Sequence, residues 1–392
     1  EAALTAGFCS VGVNVLSVGV VPTPAIAYLV GKYGCEAGVM ISASHNPCEY
    51  NGIKIFQSTG YKLPDSVEDE IEAIILDSPD QIELKTGGDV GRRTYCKTAV
   101  EDYIEHVVSV SEVSFDGLNI AIDTANGSAS VCAKEIFTRL GAKCHMLSDT
   151  PNGVNINLNC GSTHMEELAE FVKANKLDLG IAFDGDADRM LAVDENGEIV
   201  DGDKIIAICA TQMKQEKKLA KNTAVVTVMS NMGFFKFCED NGIKCAKTAV
   251  GDRYVLERML KDGYNIGGEQ SGHVIFLDHA TTGDGELSAV KLLETVVKSG
   301  ASLAQLSKVM TVYPQVLINV PVTDEGKKKY NNDEYIISAV QEAEMELHGD
   351  GRVLVRVSGT EPLVRVMLEG MDTEQITRLG NDIANVVKER LS

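Results

Sequence analysis

Short apolar runs of strand length alternate with longer amphipathic stretches along most of the chain, which predicts strands that alternate with helices. Three segments share one order, in which a helical stretch is followed by a glycine and then by a short strand. They span residues 1–20, 131–147 and 234–248, with the glycines at positions 12, 141 and 242. A glycine just past a helix is the usual C-cap. In the second and third segments a strand also precedes the helix (118–123 and 224–229), so both predict βαβ units and mainly parallel sheets covered by helices.

The pattern changes after about Tyr313. A helix over 335–347, strands over 352–357 and 363–368 and a closing amphipathic helix over 373–391 predict a small α+β domain. The predicted fold class is therefore α/β, with three related mixed or parallel-sheet α/β domains and a smaller α+β C-terminal domain around a central cleft. The predicted domains are residues 1–113, 114–217, 218–312 and 313–392. Because Glu1 lies inside a helical pattern, we expect the chain to lack the start of its first domain.

The amino-acid composition limits the classes of partner that the chain can bind. The 57 acidic residues outnumber the 36 basic ones and give a formal charge of −21, which argues against nucleic acid, because a phosphate backbone needs clustered cations. No apolar run has the length of a membrane span. Ten cysteines without a Cys-x-x-Cys pair are typical of reduced thiols in the cytosol.

A sharp turn after an apolar run places a serine where a hydroxyl can react. Residues 38–41 have strand length, and Asn46-Pro47 forces a turn, because proline disfavours helix at the residue before it. Ser44 is therefore predicted at the carboxyl end of a strand, beside His45 and near Lys54. A hydroxyl held there can carry a covalent group while an imidazole and an amine move protons. A turn without chemistry is the alternative.

Three carboxylates at alternate positions form the second candidate site. Asp184, Asp186 and Asp188 follow a predicted strand over 177–183 and can converge on a hard divalent cation. An EF-hand does not fit, because the sixth loop position is Arg189 instead of glycine and strands flank the loop. A structural acidic turn is the alternative, although such carboxylates repel each other unless something neutralises them. Magnesium fits better, since it takes few protein ligands and a phosphate oxygen, which Arg189 could hold.

Two further loops carry polar side chains. In Gly-Glu-Gln-Ser-Gly-His, the residues Glu269, Ser271 and His273 would project one way if the loop were extended, and they suit vicinal sugar hydroxyls or an amine. A polar turn is the alternative. In the last domain, Arg356 and Arg365 flank a Ser-Gly-Thr loop whose hydroxyls and backbone N–H groups suit a phosphate dianion. An ordinary hairpin with surface arginines is the alternative there.

Taken together, the four stretches predict phosphoryl transfer on a sugar phosphate, with one stretch on each predicted domain. They read Ser-Ala-Ser-His-Asn-Pro, Asp-Gly-Asp-Ala-Asp-Arg, Gly-Glu-Gln-Ser-Gly-His and Arg-Val-Ser-Gly-Thr-Glu-Pro. In this order they resemble the signatures of the α-D-phosphohexomutase superfamily across essentially the whole chain. Gln270 and the loop over 250–254 are similar to the amino-sugar branch of that superfamily.

The resemblance implies an intramolecular phosphotransferase of the cytoplasm. It would interconvert glucosamine 6-phosphate and glucosamine 1-phosphate through a phosphoserine and a bound glucosamine 1,6-bisphosphate, for UDP-N-acetylglucosamine and cell-wall synthesis. The implied partner is a small-molecule sugar phosphate, with no nucleic acid and no membrane, and a homodimer is an assembly that the resemblance allows. Superfamily members open with a strand and a Thr-Asp-Gly-x-Arg-Gly loop that this sequence lacks, so we expect the first sheet to be one strand short, with an exposed edge.

The resemblance also implies a role for each candidate residue. Ser44 would carry the phosphoryl group, with one Mg²⁺ per chain held by Ser44, Asp184, Asp186 and Asp188. The residues that assist transfer would be His45, Lys54 and Arg189. The residues that bind the sugar would be Glu269, Ser271 and His273. The residues that bind the distal phosphate would be Arg356, Ser358, Gly359, Thr360 and Arg365.

Three other functions remain consistent with the sequence. Within the same chemistry, the chain could be a phosphomannomutase or phosphoglucomutase. A metal-dependent phosphatase would need an aspartyl nucleophile, for which Asp184 is the candidate. A non-catalytic fragment that binds sugar phosphates is the third alternative.

Overall fold

The computed structural model describes residues 1–77, 82–358 and 361–392. Gly359 and Thr360, which the sequence predicts to bind phosphate, lie outside the described residues. The chain divides into two compact units. Unit 1 comprises residues 1–229 and 241–309, and unit 2 comprises residues 230–240 and 310–392. The four predicted domain boundaries stay predictions.

The first part of unit 1 contains two separate strand pairs. Its elements are α1 (Ala2–Ser10), β1 (Val15–Ser17), α2 (Thr23–Lys32), β2 (Ala37–Ile41), β3 (Ile53–Gln57), α3 (Asp65–Asp77), β4 (Arg93–Tyr95) and α4 (Ala99–Ser109). β1 pairs with β4 in parallel, and β2 pairs with β3 in an antiparallel hairpin. The expectation that this sheet is one strand short stays a prediction. The link over residues 42–52 is too short for a parallel crossover, so β3 returns beside β2 in the opposite direction.

The second part of unit 1 is a five-stranded mixed sheet. Its elements are β5 (Asn119–Asp123), α5 (Ala133–Arg139), β6 (Lys143–Leu147), α6 (Glu166–Asn175), β7 (Leu179–Phe183), β8 (Met190–Asp194), β9 (Ile199–Val200) and α7 (Gly202–Gln215). The strand order is β6-β5-β7-β8-β9, with β5, β6 and β7 parallel. All five residues of β7 are buried, and β8 returns antiparallel to it. The turn over 184–189 thus joins two strands, which confirms that it is not an EF-hand loop.

The third part of unit 1 is a four-stranded sheet. Its elements are β10 (Thr223–Thr227), β11 (Lys244–Thr248), α9 (Asp252–Asp262), β12 (Ile266–Gly268), β13 (Val274–Phe276), α10 (Gly285–Ser299) and α11 (Leu303–Leu306), while α8 (Met232–Asp240) belongs to unit 2. The strand order is β11-β10-β12-β13. β12 and β13 form an antiparallel hairpin, so the loop over 269–273 is a hairpin turn.

Unit 2 is built on an antiparallel sheet of order β14-β16-β15. Its remaining elements are β14 (Gln315–Pro321), α12 (Asp324–Lys329), α13 (Glu334–Leu347), β15 (Gly351–Val357), β16 (Leu363–Gly370) and α14 (Thr373–Leu391). One face of the sheet packs on the apolar face of α14, where Val366 and Leu368 join Ile383 in one buried cluster. The sequence predicted α13, β15, β16 and α14 but not β14 or α12.

Within the part of the chain that the structure describes, no helix combines the length and the apolar character needed to cross a bilayer. All ten cysteines lie within that part and have free thiols, as the sequence predicted.

Candidate active site

The turn between β7 and β8 gathers three buried carboxylates. Asp184, Asp186 and Asp188 are 1%, 0% and 4% exposed, and one oxygen from each lies within 4.8 Å of the others. Oδ1 of Asp186 and Oδ1 of Asp188 are buried without a hydrogen-bond partner. A buried anionic oxygen without a donor is costly unless a cation neutralises it. An all-oxygen donor set of this kind suits a hard divalent cation such as Mg²⁺.

Residues from the first part of unit 1 reach this carboxylate turn. Thr23, at the start of α2, donates its N–H to the Asp186 carbonyl (2.9 Å) and its hydroxyl to Asp186 Oδ2 (2.8 Å). The Lys54 ammonium on β3 pairs with Asp186 Oδ2 and lies 3.2 Å from Asp188 Oδ2. The Arg189 guanidinium lies 3.9 Å from Asp188 Oδ1, so two cations face three carboxylates. The turn therefore keeps an excess of negative charge, which suits a divalent cation.

The pKa shifts follow from this crowding. Burial, together with the charges of Asp188 and Asp186, raises the pKa of Asp184 well above its ordinary value. Burial would also raise the pKa of Asp188, but contacts with His273 and the charge of Lys54 lower it below its ordinary value. Burial opposes the charged form of Lys54, yet its two aspartate partners raise its pKa, so the ammonium stays protonated.

Ser44 is held against the carboxylate turn. Its Oγ donates to Asp184 Oδ2 at 2.8 Å, and its backbone adopts the left-handed region with φ of +56°. The amide of Asn157 donates to the carbonyls of Ser44 and Asn46, each at 2.9 Å, and so fixes the loop. At Gly185 a Cβ atom would lie 2.6 Å from the Ser44 carbonyl oxygen, so only glycine allows this close approach.

His45 and Arg189 lie on the same side of the turn as Ser44. Arg189 Nη1 is 3.3 Å from His45 Nδ1, and the Arg189 N–H donates to Asp184 Oδ1 at 3.2 Å. Burial and the Arg189 charge lower the pKa of His45, which favours the neutral imidazole. The structure thus brings together all seven residues that the sequence predicted for phosphoryl transfer and metal binding, including Lys54.

The hairpin turn between β12 and β13 is compact. The Glu269 N–H donates to the His273 carbonyl and the Gly272 N–H to the Glu269 carbonyl, each at 3.0 Å. The condition of an extended loop is therefore not met: Ser271 is exposed, whereas His273 is 3% exposed. The Gly283 N–H donates to His273 Nε2 at 3.2 Å, and Nδ1 of the same ring lies 3.8 Å from Asp188 Oδ2.

In unit 2, two arginines face each other across neighbouring strands. Arg356 on β15 and Arg365 on β16 are directly opposite in register. Burial and the Arg365 charge lower the pKa of Arg356, and Arg365 Nη2 donates to Glu361 Oε2 at 2.7 Å. Like charges in this position destabilise a sheet unless an anion compensates them. The Ser358 side chain is buried next to this pair and accepts the Glu361 N–H at 3.2 Å.

A buried polar cluster lies behind the carboxylate turn. Tyr103 on α4 donates to both oxygens of Asp284 (2.9 and 3.0 Å), and Cys132 Sγ contacts Glu286 Oε1 at 3.1 Å. Asp284 caps α10, whose Gly285 N–H donates to the Ala187 carbonyl at 2.9 Å. Burial raises the pKa of Asp284 to about 6 and that of Glu286 to about 8.

Sequence reasoning missed three residues that support the site. They are Thr23, Asn157 and Asp252, the last of which has Oδ2 3.5 Å from His273 Nε2 and pairs with Lys62. None of them stands in one of the four signature stretches. Only Asp252 lies in a segment with a sequence signal, the loop over 250–254, and nothing in the sequence predicts its contact with His273.

Comparison with known proteins finds one family along the chain. Residues 1–81, 101–197 and 201–313 match alpha/beta/alpha domains I, II and III of phosphoglucomutase/phosphomannomutase, and residues 317–386 match its C-terminal domain. The chain is 54% identical over 392 residues to phosphoglucosamine mutase of Ruminiclostridium cellulolyticum, covering all of this chain and 87% of that protein. It is 51% identical over 391 residues to phosphoglucosamine mutase of Acetivibrio thermocellus, with the same coverage.

Solved structures share the fold at low identity. A phosphoglucomutase/phosphomannomutase family protein of Burkholderia thailandensis has a TM-score of 0.82 and 22% identity, covering 100% of this chain and 87% of its own. N-acetylphosphoglucosamine mutase of Aspergillus fumigatus, solved with GlcNAc-6P and magnesium, has a TM-score of 0.73 and 18% identity, covering 94% of this chain and 93% of its own.

Proposed function

Because the chain belongs to the phosphoglucomutase/phosphomannomutase family, and within it to the phosphoglucosamine mutases, we propose that it interconverts glucosamine 6-phosphate and glucosamine 1-phosphate. It is an enzyme of the phosphohexomutase class. The observation that carries the proposal is the contact of 2.8 Å between Ser44 Oγ and Asp184 Oδ2. This contact supports the proposal, because a hydroxyl that could carry a phosphoryl group lies against carboxylates that could hold a metal.

The resident metal of the proposal is one Mg²⁺ per chain, held by Asp184, Asp186, Asp188 and an oxygen of the phosphoryl group on Ser44. The two donor-less carboxylate oxygens of this set support the assignment. When bound, the cation would neutralise charge on the phosphoryl group as it is transferred.

The chain's own residues would then divide the remaining work. Phosphorylated Ser44 would give its phosphoryl group to a sugar hydroxyl: the bond from Ser44 Oγ to phosphorus breaks, the sugar oxygen bonds to phosphorus, and the hydroxyl proton passes to His45. Ser44 Oγ would take up a proton in exchange, and glucosamine 1,6-bisphosphate forms. The bisphosphate turns end for end and returns its other phosphoryl group to Ser44 Oγ. Arg189 and Lys54 stabilise the charge that develops, because both cations are fixed beside the carboxylate turn. His45, neutral because of its lowered pKa, can accept a proton.

Recognition of the sugar phosphate is assigned to two further groups of residues. The sugar would be bound by Glu269, Ser271 and His273. A phosphate would be bound by Arg356, Ser358, Gly359, Thr360 and Arg365. For the described members of the second group, the support is the pair of arginines in direct register, since two cations opposed in this way favour a dianion between them.

We also propose a cytoplasmic enzyme that supplies UDP-N-acetylglucosamine and cell-wall synthesis, with a sugar phosphate as its partner. Ten free thiols suit a reducing compartment. The homodimer that the resemblance allows can be examined by light scattering of the purified chain.

The test is phosphate on Ser44. We expect intact-mass analysis to detect a phosphorylated fraction after incubation with glucosamine 1,6-bisphosphate, and to lose it in Ser44→Ala but not in Ser58→Ala, which removes an exposed hydroxyl just after β3. A coupled assay should show faster turnover of glucosamine 6-phosphate than of mannose or glucose 6-phosphate. Equal phosphorylation in Ser44→Ala would contradict the proposal, and faster turnover of mannose or glucose 6-phosphate would favour the alternative mutases.

A further inference from the structure

The side chain of Gln270 is tied to another element of unit 1. Its Nε2 donates to Asp201 Oδ2 at 3.0 Å, while its backbone carbonyl accepts the Gly202 N–H at 3.0 Å. Because an ionised carboxylate only accepts hydrogen bonds, the amide nitrogen and not the amide oxygen must face Asp201. Both contacts fix the hairpin turn over 269–273 to the start of α7.

Asp201 is a rigid anchor. Its other oxygen, Oδ1, accepts the Lys204 N–H at 3.0 Å and caps α7, a helix of 14 residues with a largely buried face. A Cβ atom at Gly202 would lie 2.1 Å from the Glu269 carbonyl oxygen, so the helix start and the turn are as close as two backbones can be. The turn is therefore attached to the start of a packed helix, and not to a mobile side chain.

Other contacts hold the ends of the same turn. The Met190 N–H donates to the Gly272 carbonyl at 3.0 Å, at the end of the carboxylate turn. The Gly251 N–H donates to Glu269 Oε1 at 3.2 Å. The contacts of Gln270 with Asp201 and Gly202 hold the centre of the turn, between Glu269 and Ser271.

We propose that Gln270 is a positioning residue, which presents Glu269 and Ser271 to the sugar in one geometry by fixing their turn to α7 through Asp201. The inference rests on the proposed function, since it needs Glu269 and Ser271 to bind the sugar. Gln270 itself does not contact the sugar. Its loss raises KM and leaves kcat close to that of the wild type, because Ser44 and the carboxylate turn are held by other contacts.

The first variant is Gln270→Glu, which sets two carboxylates against each other at the position of the present contact. We expect KM for glucosamine 6-phosphate to rise about tenfold, with kcat within about twofold of the wild type. The matched control is Gln212→Glu on α7, the helix that Asp201 caps. Gln212 Nε2 donates to Glu216 Oε1 at 2.8 Å, so this change also removes a hydrogen bond from an amide to a carboxylate, but away from the turn, and it should leave KM unchanged.

The second test uses a double variant, the swap, which exchanges the acid and the amide between positions 201 and 270. In the double variant Asp201→Asn with Gln270→Glu, the new asparagine can cap α7 with its oxygen and donate its amide to the new glutamate. KM should return to within about twofold of the wild type. A role limited to overall stability would not give this reciprocal rescue.

Hydrogen exchange measures the anchor without turnover. Peptides over 201–205 and 267–273 should exchange faster in Gln270→Glu and at the wild-type rate in the swap. An unchanged KM in Gln270→Glu, an equal rise in Gln212→Glu or a swap without rescue would each overturn the inference. Absence of glucosamine 6-phosphate turnover in the wild type would instead refute the proposed function, and the exchange rates would still decide whether Gln270 fixes the turn.

Discussion

Asn157→Gly should detach the Ser44 loop from its support while leaving the fold intact. Asn157 has φ of +58°, so glycine accepts its backbone conformation, and the change removes little beyond the side-chain amide. That amide makes both hydrogen bonds to the carbonyls of Ser44 and Asn46. The variant therefore tests whether the position of Ser44 against Asp184 depends on this clamp.

The expected loss of kcat/KM follows from the two hydrogen bonds of the Asn157 amide. Each has a length of 2.9 Å, and a neutral hydrogen bond contributes about 1 kcal/mol net, so the clamp contributes about 2 kcal/mol. If all of that free energy keeps the loop in its reactive position, kcat/KM falls roughly 30-fold, since about 1.4 kcal/mol corresponds to tenfold. The loss should appear mainly in kcat, because the sugar-binding turn is held separately.

The assay is a coupled mutase assay on glucosamine 6-phosphate, with the phosphorylated fraction of Ser44 measured in parallel. Asn159→Gly is the matched control, because Asn159 is exposed and has φ of +53° in the same segment. Both variants should unfold at similar temperatures. If Asn157→Gly and Asn159→Gly have the same kcat/KM, the clamp does not position Ser44 and the reasoning fails.

Three further predictions address charge. Mg²⁺ should raise the unfolding temperature of the wild type, because it binds the folded state. It should not raise that of Asp186→Asn, and this variant should lose turnover. A rise of the same size in both proteins would contradict the metal assignment. Arg356→Ala should raise KM for the sugar phosphate at least about tenfold. It should not lower the unfolding temperature, because the change relieves repulsion with Arg365. The control Arg378→Ala, at an exposed site, should leave KM unchanged. Burial raises the pKa of Glu286 from 4.5 to about 8, so the folded state keeps a proton that the unfolded state releases, and the stability from this group falls as the pH rises through that range. Glu286→Gln should weaken the fall in unfolding temperature between about pH 5 and about pH 8, and an unchanged pH dependence would refute the protonated state.

The carboxylate turn was the part of the site most accessible to sequence reasoning. Three acids at alternate positions after an apolar run specify a local structure, and the repulsion between them specifies the need for a cation. The contact between Ser44 and Asp184 spans 140 residues of sequence, and no local pattern encodes it. Only the co-occurrence of four stretches in one order linked them.

The supporting residues could not be found in this way. Thr23 and Asn157 act through hydroxyl, amide and backbone contacts to loops that are distant in sequence, and many threonines and asparagines look the same in a linear chain. The strand pairing of the first part of unit 1 was also missed. The short link over 42–52 favours an antiparallel pair, because a parallel crossover needs a dozen or more residues.

The route of the chain through unit 2 has a consequence for anyone who divides this protein. The segment 230–240 supplies part of that unit long before residue 310 begins the rest. Buried Glu369 accepts hydrogen bonds from the Met232 N–H (2.8 Å) and the Asn231 amide (3.3 Å), so a C-terminal fragment cut at 310 would keep the acceptor and discard both donors. Such a fragment keeps the ion pair of Glu369 with Arg352, but it should unfold at a lower temperature than the same fragment with a peptide over 230–240 fused to its start.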